Sequence, residues 1–558
     1  MTAIHTESAA IFGHKNVNVS EERVQYVEYK PVNPITPNTV VEFLIPGNDK
    51  RYISLKDTTL HAVVEYRIKK TDTIKFLKKP KVPARYTGDK KLKDFEPDPS
   101  RKKRDQGEGE EEEEEEETNP VFVDYDFEND MEDPRGDEAE TDEEFNARWD
   151  KIIEAWNTYA REVKKPKPGK SSRFYPHGYP IDAIFHTMWN GVDVFMNHTL
   201  VSTTNTMYAY KSYMETVLNN SSATKKYQLP AIGFTGNISN LPNPINPDCE
   251  TDPYDIRDTI RTRQKLIPVN TQVDLIGHLS SDVWGVQASI LNGVQIGIKL
   301  YPNKDSFRMC TFPEGVEAEL ILRDLTLKVC KKTMSPEVII AHNEALAHVN
   351  DATYPFIRTE VRSFTVPKGM RNATLENPYQ SNIPARLIVG MVRSDSKAGH
   401  FQKNPLKFQH FDISSAGFYI NDEPVPRRPY SLDPKRGRIL EPHVELYSVL
   451  GKMGEDKDLG LSMEEYKDSN FFIPFDVQPT ASGNLSFLAK REGGHCRLEL
   501  TFSKPLPCNI CIITYAIFPS CIAISLERNV NVIDLEKPFK VYRSEKKPSQ
   551  MTPSVGVV

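Results

Sequence analysis

Short runs in which apolar and polar residues alternate recur along most of this chain. The clearest lie at residues 40–45, 60–68, 192–196, 273–276, 319–329, 386–392, 418–420, 471–477, 497–502 and 510–518, with Gly, Pro, Asn and Asp gathered between them. A period of two with β-branched and aromatic content predicts half-buried strands joined by turns. A helical period appears in two places. At 141–161 the residues Phe145, Trp149, Ile152, Ile153 and Trp156 fall on one face, which predicts an amphipathic helix that docks on the body. At Ser335-Pro336-Glu337 a cap residue, a proline at the first helical position and an acid against the dipole predict a helix to about His348. Asn292-Gly293 predicts a two-residue hairpin with strands on both sides.

The strand pattern repeats itself. Phe43, Ile45 and Pro46 precede Gly47, and Phe364, Val366 and Pro367 precede Gly369; each group leads to an alternating strand, 60–68 in one case and 386–392 in the other. Each copy then reaches a strand that ends in an Asn-led turn, Asn197-His198 followed by Leu200-Val201, and Asn421-Asp422 followed by Val425. Four landmarks in one order predict one sandwich present twice. Val63 and Asn197 are 134 residues apart while Ile388 and Asn421 are 33 apart, so the first copy carries an insertion of roughly 100 residues. The expected division is an N-terminal arm over 1–36, a first jelly roll over 37–332 with the insertion at about 75–175, a linker helix over 333–352, a second jelly roll over 353–535 and a flexible tail over 536–558. Residues 229–268, rich in Pro, Asn and Gly, suit an exposed tower. Tyr208, Tyr210 and Tyr213 read as packing residues at the base of a loop rather than a binding ladder.

At 558 residues the chain is long enough for two cores and an insertion. It has no run of about 18 apolar residues, and residues 1–13 lack a basic-then-apolar leader, which predicts a soluble protein not routed for secretion. Seven cysteines, Cys249, Cys310, Cys330, Cys496, Cys508, Cys511 and Cys521, are odd in number and lie mostly in apolar runs, which favours buried thiols in a reducing compartment. The net charge of −7 is unevenly distributed: residues 105–148 hold 22 Asp and Glu against Arg135 and Arg148, a local net of −20 that leaves +13 on the remainder. A solvated acidic loop and a body that faces polyanion both follow from that split.

Catalytic signals are weak. The chain has no phosphate-cradling GxxxxGK[ST] or GxGxxG loop and no GxSxG elbow. Cys508 and Cys511 have the CxxC spacing without a second pair, and His342 and His348 lack the HExxH order. His278, His400, His410 and His495 are scattered singly, unlike the clustered ligands of a cupin. The expectation is therefore no enzyme, with no catalytic, cofactor-binding or metal residues. Asn-x-Ser/Thr triplets at Asn197, Asn237 and Asn484 read as chance matches, and Arg101-Lys102-Lys103-Arg104 as a charge balance for its acidic neighbour.

Taken together these segments resemble the double jelly-roll major capsid proteins, or hexons, of Polinton/Maverick elements and adintovirus-like DNA viruses. The resemblance is carried by Val41-Glu42-Phe43-Leu44-Ile45-Pro46-Gly47 with Tyr52-Ile53-Ser54-Leu55, and by residues 192–201 with Tyr208-Ala209-Tyr210. In the second half it rests on Pro384-Ala385-Arg386-Leu387-Ile388-Val389-Gly390, Lys403-Asn404-Pro405 with Phe408 and His410, Arg497-Leu498-Glu499-Leu500 with Phe502, and Arg528-Asn529. The length and acidity of the insertion depart from that pattern. The resemblance implies an all-β chain of two tandem eight-stranded jelly rolls with a few short helices. It implies a homotrimer whose six lobes tile as a pseudo-hexagon, and an icosahedral shell built with neighbouring capsomers, penton and minor capsid or cement proteins. The arm would brace those neighbours, and inner loops and tails would meet packaged double-stranded DNA through unspecific phosphate contacts. The location implied is the virion, assembled inside the host cell. A glycan-binding or glycan-processing protein with two jelly rolls is the alternative, and a host-genome copy with a changed role would share every motif.

Overall fold

The computed structural model describes residues 20–69, 178–236, 263–311, 317–348, 351–477 and 494–534, apart from 38, 264, 269, 381, 402, 426–427 and 455–456. The acidic tract, the expected helix at 141–161, most of the expected tower, Cys249 and the tail beyond Asp534 lie outside those residues.

Eight strands form the first barrel: β1 (Glu21–Tyr29), β2 (Val41–Ile45), β3 (Tyr52–Lys69), β4 (Trp189–Met196), β5 (Thr199–Thr203), β6 (Gln272–Gly277), β7 (Ile296–Pro302) and β8 (Glu317–Met334). They make two antiparallel sheets in the orders β1-β8-β3-β6 and β2-β7-β4-β5. The second barrel follows helix α2 (Pro336–His348), with β9 (Ala352–Val366), β10 (Asn372–Glu376), β11 (Arg386–Arg393), β12 (Ile413–Ile420), β13 (Glu423–Pro424), β14 (Phe472–Asp476), β15 (Cys496–Phe502) and β16 (Ile510–Ile524). Its sheets run β9-β16-β11-β14 and β10-β15-β12-β13, each of these strands having its counterpart eight places earlier, while Val530–Asp534 pairs with β16 and Tyr430–Ser431 with β12 without a counterpart among the described residues. The fold is two tandem eight-stranded jelly rolls. Alternation is clearest in β7, where Ile296, Ile298 and Leu300 are fully buried while the residues between are half-buried.

The repeated turn is the closest point of equivalence. Asn197 and His198 have φ of 44° and 72°, Asn421 and Asp422 of 50° and 69°, the left-handed pair of a type I′ turn. The side chain at the first position does the same work in both copies. Gln295 N–H donates to Asn197 Oδ1 at 2.8 Å, and His495 N–H to Asn421 Oδ1 at 3.0 Å. The two Asn amides return bonds of 3.0 Å and 2.8 Å to the carbonyls of Gln295 and His495. Each Asn thus fixes the entry of the adjacent strand, β7 or β15.

Three expectations need correction. Residues 21–29 were expected in an extended arm but form strand β1, an edge strand held in register from Tyr29↔Leu327 to Glu21↔Met334. Its side chains are mostly exposed, so the alternation that marks a buried face is missing. The first pair of repeat landmarks is out of step: Phe43 and Ile45 lie on β2, whereas Phe364 and Val366 end β9, the counterpart of β1. An apolar strand closed by Pro and a nearby Gly, Pro46-Gly47 in one barrel and Pro367-Lys368-Gly369 in the other, occurs at two different corners of the same architecture. Asn292-Gly293 turns the chain, with Gly293 at φ 81°, but pairs no strands across it: Ile290 makes a single bridge to Ile53, and β7 pairs with β2 and β4.

The connector is helix α2 (Pro336–His348), and it leaves the end of the first barrel that holds Ser20 and the Asn197 turn. The insertion departs from the other end, between β3 and β4. The two barrels lie side by side in the same sense, because Asn197 meets Arg528 at one end and Gly399 packs on Ser306 and Phe307 at the other.

Candidate functional site

Among the described residues the most developed polar constellation is the joint between the barrels, and its centre is helix α1 (Tyr208–Asn219), which follows β5. Ten of its twelve residues are buried, so it shows no polar face to solvent. That is why it reads poorly as an amphipathic helix: it is covered by its own barrel on one side and by the second barrel on the other. Tyr210 Oη donates to the Pro405 carbonyl at 3.2 Å and Tyr213 Oη to Asn470 Oδ1 at 2.9 Å. The Tyr213 ring stacks on Phe408 with an interplanar angle of 7°. Phe408 in turn covers Gly390, where a Cβ would come within 2.5 Å of its ring. The tyrosines are packing residues placed between the two domains, and Tyr213 also packs beside Phe234 and Leu266 at the foot of the loop.

Lys211 is the charged pivot of this helix. Its side chain is 3 % exposed, and Nζ lies 2.8 Å from Glu215 Oε1, 3.0 Å from Asp282 Oδ1 and 2.7 Å from the Ser280 carbonyl that accepts from it. All three ammonium donors are therefore used. The carboxylates reach onward into the second barrel, where Thr359 N–H donates to Asp282 Oδ2 at 3.2 Å and Tyr515 Oη to Glu215 Oε1 at 3.3 Å. Burial works against the charge on Lys211, but Asp282 and Glu215 outweigh it and hold the ammonium above its ordinary range. Burial pushes the Glu215 carboxyl up, against the pull of Lys211. Close by, burial and then the Lys211 charge depress His186 to about 3, with His186 Nδ1 3.0 Å from Tyr208 Oη.

Two further clasps lie at the ends of the joint. Arg528, after β16, donates from Nε to the Asn292 carbonyl at 2.8 Å and from Nη2 to Asn292 Oδ1 at 3.0 Å, while Asn197 Nδ2 donates to the Arg528 carbonyl at 2.8 Å. At the opposite end the C-terminal carbonyls of α1 are capped from both barrels: Lys225 Nζ reaches the Val217 carbonyl at 2.7 Å and Lys452 Nζ the Leu218 carbonyl at 2.9 Å. Cations there suit the negative end of the helix.

The joint explains one strand outright. All fifteen residues of β16 are buried, whereas its counterpart β8 alternates. A strand buried on both faces reads as a continuous apolar run. One face of β16 looks into the second barrel and the other is covered by the first. The chain has the double jelly-roll fold. A chain of the Sputnik virophage, solved by electron cryomicroscopy, aligns with a TM-score of 0.51 at 9 % identity over 98 % of this chain and 96 % of its own. The major capsid protein of mavirus aligns with a TM-score of 0.43 at 9 % identity over 94 % of this chain and 92 % of its own. An uncharacterized Caenorhabditis elegans protein is 23 % identical over 359 residues, 63 % of this chain and 80 % of that protein. No family model matches the chain.

The histidines and cysteines weighed for chemistry are dispersed. His278 Nδ1 is 3.0 Å from the Thr58 carbonyl, His342 Nδ1 3.0 Å from Tyr52 Oη, and His410 Nδ1 accepts from Asp412 N–H at 2.9 Å. Cys511 is buried on β16 beside Thr365, and Cys508 is half-buried in the preceding turn. Burial pushes the Cys310 thiol up to about 12. Sequence reasoning missed Lys211, Glu215 and Asp282 as a group; the only signal was charge inside otherwise apolar runs.

Proposed function

We propose that this chain is a major capsid subunit, a structural rather than catalytic protein, which trimerises into a pseudo-hexagonal capsomer of an icosahedral double-stranded DNA virus or virus-like element. One observation carries the reading: two barrels of identical strand order lie side by side in the same orientation, locked by a buried joint. A rotation that places the second barrel against the first can be repeated by the next subunit, and three such steps close a ring of six lobes.

The surface available for that next step is the outer face of β1-β8-β3-β6, the counterpart of the face that the second barrel buries. It carries ion pairs, Arg323–Glu65 at 2.6 Å and Lys30–Asp324 at 2.6 Å, beside exposed Val24, Tyr26 and Ile276. Polarity of the capsomer follows from charge. The insertion with its net −20 is anchored at the end opposite α2 and Ser20, and a tract of that charge is repelled by DNA. The α2 end therefore faces the packaged genome, and the insertion faces outward toward cement proteins or the host surface.

The test is the mass of the purified full chain by sedimentation together with negative-stain images. Three copies in triangular or hexagonal particles are expected. A clean monomer or dimer throughout the micromolar range would sink the proposal.

A further inference from the structure

A groove of about 700 Å³ runs between the barrels, lined on one wall by residues 200–205 and on the other by 358–364, with Lys211 and Asp282 in its floor. Both walls are edge strands, β5 at the end of β2-β7-β4-β5 and β9 at the end of β9-β16-β11-β14. Thr359 N–H points away from β16, since it donates to Asp282. The β9–β16 register is unbroken, so Val361 and Ser363 turn their backbone groups the same way, into the groove. Pro355, at another position of that parity, has no amide to satisfy. No hydrogen bond joins the backbones of β5 and β9 among the described residues. The groove also offers apolar seats in Leu200, 44 % exposed, and the half-buried Phe364 and Val532.

We propose that this groove is a strand-acceptor site for the chain's own C-terminal segment, centred on residues 539–543. Strand β17 (Val530–Asp534) leads to it from across β16: β17 pairs with β16 on the side that β11 uses, opposite β9, and β17 and β9 both run antiparallel to β16, so the chain travels in the direction of β9 as it leaves Asp534. Val532 already lines the groove, and Thr199 Oγ1 at the start of β5 donates to the Val530 carbonyl at 3.0 Å. From Asp534 to Phe539 is five residues, a reach of at most about 18 Å for an extended chain. The sequence that arrives is Phe539-Lys540-Val541-Tyr542-Arg543, in which Phe539 and Val541 fall on one face of an extended chain, suiting a strand that sets those two on Leu200 and Phe364. Main-chain bonds to a free edge give such an added strand its affinity, and a short tether makes its effective concentration millimolar. The added strand would staple the barrels together independently of whether subunits assemble.

Hydrogen exchange read by mass spectrometry tests this on the full chain and on a chain truncated after Asp534. Amides of 358–364 are expected to exchange at least about tenfold faster after truncation, with β16 unchanged, and a synthetic peptide of residues 535–545 at millimolar concentration is expected to restore protection. The substitution Val541→Asp in the full chain is expected to mimic truncation, and it serves alone if the truncated chain fails to fold. Equal exchange in the full chain and the Val541→Asp variant would overturn the proposal. Protection that rises with protein concentration would assign the strand to a neighbouring copy and overturn the intramolecular form.

Discussion

Replacing Lys211 with Met removes the ammonium while keeping most of the buried volume, which isolates the electrostatic role of the joint. Three acceptors lose their donor at once: Glu215 Oε1 at 2.8 Å, Asp282 Oδ1 at 3.0 Å and the Ser280 carbonyl at 2.7 Å. Breaking a buried ion pair from one side costs about 3–5 kcal/mol, because the partner charge stays buried and unpaired. With domains of roughly 200 residues that loss lowers Tm by roughly 6–20 °C. The pH dependence gives a second signature. Burial already raises the Glu215 carboxyl, and without Lys211 it rises further. A carboxyl whose folded pKa lies above its unfolded value gains stability as pH falls through the folded pKa, so the deficit shrinks between pH 8 and pH 5. Guanidinium chloride unfolding at those two pH values measures both effects. The double variant Lys211→Met, Glu215→Gln is expected to recover part of the loss at pH 8. A deficit below about 1 kcal/mol that does not vary with pH would refute the assignment of Lys211 as the pivot.

Other expectations follow from the same geometry. His186 is buried neutral at about 3, so between pH 6.5 and 3 only the unfolded chain takes up its proton, and stability falls as pH falls through that window. The loss is about 2 kcal/mol at pH 5, and His186→Phe is expected to remove that slope in denaturant titrations at pH 7 and 5. Asn421→Ala places a Cβ-bearing residue without a local hydrogen bond at φ 50° and strips the acceptor from His495 N–H; a loss of about 2 kcal/mol is expected, against about 1 kcal/mol for Asn421→Gly. Calorimetry on both variants checks the ordering. Arg528→Ala removes two bonds to Asn292, and a loss of about 2 kcal/mol, with faster proteolysis near 526–530, is expected.

What was legible in the sequence was what depends on local backbone chemistry. The Asn197 and Asn421 turns need left-handed residues at two successive positions, few residue types supply them, and their spacing to β3 and β11 exposed the duplication and the insertion. Strand limits set by pattern were less secure. The run at 510–518 continues to Ile524 through Pro519, which pairs with Ile357 on β9 and falls between the end of the β11 ladder at Ile517 and the start of the β17 ladder at Ser520. A proline is tolerated there because no donor is required. β1 was missed for the opposite reason: an edge strand with both faces largely wet has no apolar period to detect. The joint was illegible because Lys211, Asp282 and Thr359 are brought together only by the packing of two domains.

The duplication also shows where the copies had to diverge. Strands β8 and β16 hold the same place in their sheets, yet β16 carries Ile512, Thr514, Ala516 and Phe518 on one parity and Ile513, Tyr515 and Ile517 on the other, all buried, while β8 keeps Glu319, Arg323, Asp324 and Lys328 toward solvent. A barrel alone would dissolve poorly with two apolar faces on its central strand, so β16 is compatible with a folded protein only if another body permanently covers it. The first barrel supplies that cover through α1, and its own outer sheet keeps the charged pattern of a surface that faces water. Placing Lys at Ile513, Tyr515 or Ile517, whichever faces α1, is accordingly expected to stop the chain from folding, whereas Arg323→Ala is expected to leave the monomer folded within about 0.5–1 kcal/mol and to change only how copies associate.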